Sequence, residues 1–127
     1  MEARWKEKLD HVREYAAITR NLLRAAYDQD CDSVNEFALL RHRCIQRIYA
    51  LHQNMGAVTL TDTDPVRVAL KVELAQCVGL DTELALALQD LRRDLQRRLT
   101  RVSHGQRALS GYRVRRRRDP EIQDHRI

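Results

Sequence analysis

Residues 65–112 read PVRVALKVELAQCVGLDTELALALQDLRRDLQRRLTRVSHGQRALSGY, and their apolar members recur at alternating three- and four-residue steps for about a dozen helical turns. The stripe is Val66, Leu70, Cys77, Leu80, Leu84, Leu88, Leu91, Leu95, Leu99, Val102 and Leu109, with one gap at Glu73. A repeat near 3.5 keeps one seam facing its neighbours along the whole length, so the stretch predicts one long helix that needs partner helices. Thr63, Asp64 and Pro65 mark its start, because a side-chain oxygen there can cap the first free amides and proline sits where its missing donor costs nothing. Its end is expected between Gly105 and Gly111. Unbroken, such a rod approaches about 70 Å, roughly twice the reach of the helices read upstream, so its second half projects beyond them or it bends. Gly79 is the candidate position if it bends, where Asp81 could cap a restart.

Working outward, Trp5, Leu9, Val12, Ala16, Leu23 and Ala26 fall at helical steps between Glu2 and Tyr27 and predict a first helix, with Lys6, Lys8, Asp10, Arg13 and Glu14 left to solvent. The acidic stretch from Asp28 to Asp32 breaks the period. Ser33 followed by Glu36 has the pattern of a capping box and opens a second helix, whose stripe is Val34, Phe37, Leu40, Cys44, Ile48, Leu51 and Met55. Gly56 suits a left-handed cap, and residues 58–64 are a polar, threonine-rich connection. Two short connections put consecutive helices antiparallel. The expected fold is therefore all-α: an antiparallel bundle of three helices, or four if the chain folds back at Gly79, over residues 1–112, followed by a disordered basic tail at 113–127.

Composition agrees. Only six of the 127 residues are glycine or proline and 5% are aromatic, which suits helix rather than sheet. Cys31, Cys44 and Cys77 are odd in number and form no CxxC pair, and the amino terminus has no signal-peptide pattern, so a reducing cytoplasm is expected. No apolar run reaches the roughly 20 residues of a membrane span, so no membrane insertion is expected. The net charge is +5, with 17 basic against 15 acidic residues in 1–112 and 6 against 3 in the last 15. The body thus reads as nearly neutral and the excess as a tail carrying Arg113, Arg115, Arg116, Arg117 and Arg118. A bare arginine run is most often a solvated tail; docking on an acidic protein comes next and nucleic acid last.

The sequence offers little chemistry. His42 and Cys44 point about 200 degrees apart on a helix, the other histidines are scattered without HExxH or repeated Glu-x-x-His, and Gly105 and Gly111 follow no strand. Ser103, His104 and Ser110 lack a third orienting group. We expect no enzymatic activity, no metal and no cofactor. Cys44 and Cys77 lie on apolar stripes and read as core residues.

At the end of the long helix a pattern emerges. A first amphipathic helix, an acidic break, EFALLRHRCIQRI (36–48), VGLDTELALALQDLRRDLQRRLTRV (78–102) and the close HGQRALSGY (104–112) together resemble the FliT/FlgN type of small flagellar export chaperone. The resemblance covers about residues 5–112, and RALSGY is its most telling piece. It implies a cytoplasmic helical protein that binds the carboxy-terminal helix of a flagellar cap or hook-filament junction subunit, keeps it monomeric and delivers it to the export gate. The RRRR run is not part of that pattern.

The residues support a binding role independently, since two shorter helices leave leucine-rich surface on a longer one uncovered. The expected partner-binding set is Leu84, Leu88, Leu91, Leu95, Leu99, Val102, Leu109 and Tyr112. A homodimeric coiled coil, or a small nucleic-acid-binding regulator using the arginine tail, are the alternatives, because the same stripe serves self-association as well as a guest.

Overall fold

The computed structural model describes residues 2–55 and 63–116. They form three helices, α1 (Glu2–Tyr27), α2 (Cys31–Met55) and α3 (Pro65–Arg116), with no strand among the described residues. The all-α reading holds. The chain divides into two compact units, Met1–Leu91 and Arg92–Ile127.

In the first unit α1 is flanked on two sides. It runs antiparallel to α2, as Arg4 Nη1 donating to the Asn54 carbonyl (2.6 Å), Lys8 Nζ beside His52 Nδ1 (3.2 Å) and Arg47 paired with Glu14 (3.0 Å) establish. It runs in the same sense as α3, with Arg13 beside Glu73 (3.7 Å) and the Tyr27 hydroxyl donating to Glu83 (2.8 Å). Two neighbours demand two seams. Of the predicted stripe, Leu9, Val12, Ala16, Leu23 and Ala26 are buried and Trp5 is half-buried; Tyr15, Thr19, Leu22 and Ala25, which the single-stripe reading omitted, are buried as well. The core cluster joins Leu9, Val12, Tyr15 and Ala16 of α1 to Cys44 of α2 and to Leu70 and Cys77 of α3. Burying each of its larger side chains contributes on the order of 2 kcal/mol. Thr19 is tolerated there because its hydroxyl donates to the Tyr15 carbonyl one turn back (2.8 Å).

The gap in the α3 stripe has a use. Glu73, where an apolar residue would be expected, reaches Arg13 of α1. The α2 stripe, by contrast, is only partly covered: Cys44 and Met55 are buried, Val34, Phe37, Ile48 and Leu51 are half-buried, and Leu40 is exposed.

The α1–α2 turn is a Schellman motif, in which the Asp30 amide donates to the Ala25 carbonyl (3.0 Å) and the Gln29 amide to that of Ala26 (3.1 Å). It requires Gln29 to sit at φ = 57°. The cap of α2 is Asp30, not the expected Ser33 and Glu36 box: Asp30 accepts from the Ser33 amide (3.2 Å) and hydroxyl (2.7 Å), and these bonds hold its carboxyl below its usual range. The three-residue shift lets one aspartate serve both the end of α1 and the start of α2. Because a left-handed conformation strains any side chain with a Cβ, Gln29→Gly is expected to stabilise the protein by about 0.5–1 kcal/mol in urea melts. A loss of stability would show that the Gln29 side chain contributes more than its strain removes.

Helix α3 begins as expected, with Asp64 Oδ1 accepting from the Val66 amide (2.9 Å) and Pro65 at the first helical position. The readings of Gly56 and of the connection through residue 62 lie outside the described residues. Of the alternatives left open for α3 the unbroken helix is the one found, and its expected end is corrected. It is uninterrupted at Gly79, so no fourth helix starts there and Asp81 caps nothing. It also continues past Gly105 and Gly111 to Arg116. Each glycine costs about 1 kcal/mol relative to alanine, but the flanking Arg, Gln, Ala and Leu are good helix formers and no proline occurs before Pro120. The tail expected to be disordered, 113–127, is corrected over its first four residues, since 113–116 belong to α3, and residues 117–127 lie outside the described residues.

Candidate functional site

With α2 on one side of α1 and α3 on the other, an apolar groove of about 270 Å³ opens between them in the first unit. Val12 and Tyr15 of α1 form its floor, Ile45 and Ile48 one wall, and Leu74, Cys77 and Val78 the other. The floor is buried, but the rims are not: Ile45 is 40% exposed, Leu74 45% and Val78 67%. Each wall carries apolar residues at helical steps, Ile45 to Ile48 and Leu74 to Val78, and Tyr49 extends the α2 rim by one more exposed residue. An isolated exposed leucine is ordinary on a protein surface; facing apolar rows over a buried floor are a docking geometry.

One end of the groove is polar. The Tyr15 hydroxyl donates to Asp81 Oδ1 (2.7 Å), Arg41 Nη2 donates to the same carboxylate oxygen (2.8 Å) and to the Tyr15 hydroxyl, and the Arg41 guanidinium lies 5.0 Å from the centre of the Tyr15 ring. Each helix contributes one member, so the node fixes the width of the groove at this end. Burial, reinforced by the hydrogen bond to Asp81, pushes the Tyr15 hydroxyl up to about 12. The Arg41 Nε is buried with no partner.

The thiols of Cys44 and Cys77 also face α1, the first 3.3 Å from the His11 carbonyl and the second 4.0 Å from that of Val12. Burial raises both thiols, and neither is in a disulfide. They act as small core side chains, as their stripe positions suggested. Cys31 is exposed at the start of α2.

The partner-binding residues expected from sequence divide by burial. Leu84 and Leu91 are buried, together with Ala87, and Leu88 is half-buried, so this part of the stripe is occupied inside the first unit. In the second unit Leu95 is half-buried and Leu99, Val102 and Leu109 are exposed. Tyr112, Arg113, Arg115 and Arg116 are helical, but their side chains lie outside the described residues, as do Arg117 and Arg118 altogether. Sequence reasoning missed the groove. Ile48 stood on the α2 stripe, but Ile45, Leu74 and Val78 stood on none. The signal was available: each helix carries a second, shorter apolar row at four-residue spacing, Ile45 and Tyr49 on α2, Leu74 and Val78 on α3.

Among the described residues no group of three or more His, Cys, Asp and Glu could hold a metal ion, and no helix is long and apolar enough to cross a membrane. Compared with family models, curated proteins and solved structures, the chain matches none of the three. What the fold and the groove define is a class: an all-α, three-helix protein with an open apolar cleft between its second and third helices.

Proposed function

We propose that this protein is a non-enzymatic helix-binding chaperone or adaptor, which lays one amphipathic helix of a partner protein into the groove between α2 and α3. The observation that carries the reading is the pair of exposed apolar rims, Ile45 on one helix and Leu74 and Val78 on the other, over the buried floor of Val12 and Tyr15. A guest helix would complete a four-helix layer and remove both rims from water, at about 25 cal/mol for each Å² of apolar surface covered. The finer reading rests on the resemblance of residues 5–112 to FliT/FlgN-type export chaperones. In it the guest is the carboxy-terminal helix of a flagellar cap or hook-filament junction subunit, held monomeric in the cytoplasm and handed to the export gate. No cofactor is needed for such work.

Labelled carboxy-terminal peptides of these two subunits from the same source, titrated with the full chain, test it by fluorescence anisotropy. Ile45→Arg and Val78→Arg place a charge at exposed positions, so helicity should survive, whereas a guest would have to bury that charge unpaired. Affinity is expected to fall at least about 100-fold. Undiminished binding moves the guest off the groove, and failure of both peptides to bind the native chain removes the export-chaperone reading. A dimer in light scattering that the same substitutions split would make the groove a self-association seam.

A further inference from the structure

The unit boundary at Leu91 redraws the charge of the chain. Residues 92–116 hold nine arginines, one aspartate and no lysine or glutamate, a net +8, and all belong to α3. Residues 1–91 hold 11 basic and 14 acidic residues, a net −3. The positive charge is therefore set on a folded helix and not confined to a tail, which is the arrangement that phosphate-binding surfaces use.

It is also ordered around the helix. At about 100 degrees per residue, Arg93, Arg97 and Arg101 form one row on the side opposite the exposed Leu99, Val102 and Leu109. Gln96 and Thr100 stand beside that row, and the five side chains line a shallow concavity. The one acid of the segment, Asp94, pairs with Arg98 (3.8 Å), and none of Arg93, Arg97 and Arg101 pairs with a carboxylate among the described residues.

We propose that this row binds the phosphodiester backbone of duplex nucleic acid without regard to sequence, independently of the groove in the first unit. Arginine forks match phosphate oxygens two at a time, and glutamine and threonine are the neutral donors commonly found beside them at phosphates. Other occupants fit less well. A lipid surface or an acidic amphipathic helix would seat on the leucine side and leave Arg93, Arg97 and Arg101 pointing away. A second copy would bring +8 against +8.

The test uses the full chain and a labelled 20-base-pair duplex of arbitrary sequence between about 0.05 and 0.3 M salt. The unmodified chain should bind with an affinity that falls steeply with salt. The triple variant Arg93→Gln, Arg97→Gln, Arg101→Gln should flatten the log–log slope by about 2.7, at about 0.9 for each lost phosphate contact, and bind roughly 100-fold more weakly near 0.1 M. Circular dichroism should find its helicity unchanged. A matched tail variant, Arg116→Gln, Arg117→Gln, Arg118→Gln, should lose less. No duplex binding at 0.05 M salt overturns the proposal, as does a tail variant that loses as much as the triple. Displacement of the duplex by polyglutamate of equal charge, or by phosphatidylserine vesicles, overturns it in favour of an acidic protein or a membrane.

Discussion

Leu84→Ala is expected to destabilise the protein by about 2–4 kcal/mol, while Leu99→Ala shifts its stability by less than about 0.5 kcal/mol. The two leucines share a helix, a stripe and a sequence pattern, and only their surroundings differ. Leu84 is 3% exposed in the first unit, so truncation removes its transfer free energy and leaves a cavity between packed helices. Leu99 is 67% exposed in the second unit, so truncation removes surface that water already covers. Urea melts of the two variants with unchanged slope measure the difference directly. Equal losses would mean that Leu99 is covered in solution, as a dimer seam would require, and the loss would then vary with protein concentration.

The second large effect is expected at the node. Removing the carboxylate by Asp81→Ala strands the Arg41 guanidinium and the Tyr15 hydroxyl, both of which donate to it. The side chains of Arg41 and Asp81 remain 26% and 42% exposed, so water and salt screen the pair and the expected loss is about 1–2 kcal/mol rather than that of a fully buried pair. The node also gives stability an alkaline limb. Tyr15 ionises at about 12 in the folded chain against about 10 when unfolded, so the unfolded state gives up its proton first. Stability from this group is complete below pH 10 and is lost as pH rises through 12. Thermal melts between pH 9 and 11.5 should show that decline in the native chain and a shallower one in Tyr15→Phe. An equal decline in both would assign the limb to other groups.

How far the sequence could be read follows from which interactions are local. The three helices were legible because their apolar residues repeat at the helical period, and the start of α3 because Asp64 and Pro65 act on their immediate neighbours. The cap of α2 was misplaced because Ser33 and Glu36 and the true cap Asp30 offer the same chemistry three residues apart, and only the Gln29 backbone decides between them. The persistence of α3 through Gly79 was left open and that through Gly105 missed because each glycine is a small local penalty against many favourable neighbours. Burial along the α3 stripe could not be read at all. Leu84 and Leu99 look alike in sequence, and what separates them is that Leu84 is covered within the first unit while Leu99 is exposed. The node was hidden for the same reason, since Tyr15, Arg41 and Asp81 are 26 and 40 residues apart.

The double seam of α1 has a consequence for the order in which the fold is made. The helix flanked on both sides is the first of the three to be synthesised. Its pairing with α2 closes a short loop and forms from local contacts, the kind that assemble fastest. Its other seam, along which Arg13 meets Glu73 and Tyr27 meets Glu83, waits for residues 65–91, the last part of the first unit to leave the ribosome. A nascent chain that has reached α2 is thus a helical hairpin with a bare apolar flank, and the arrival of α3 seals it.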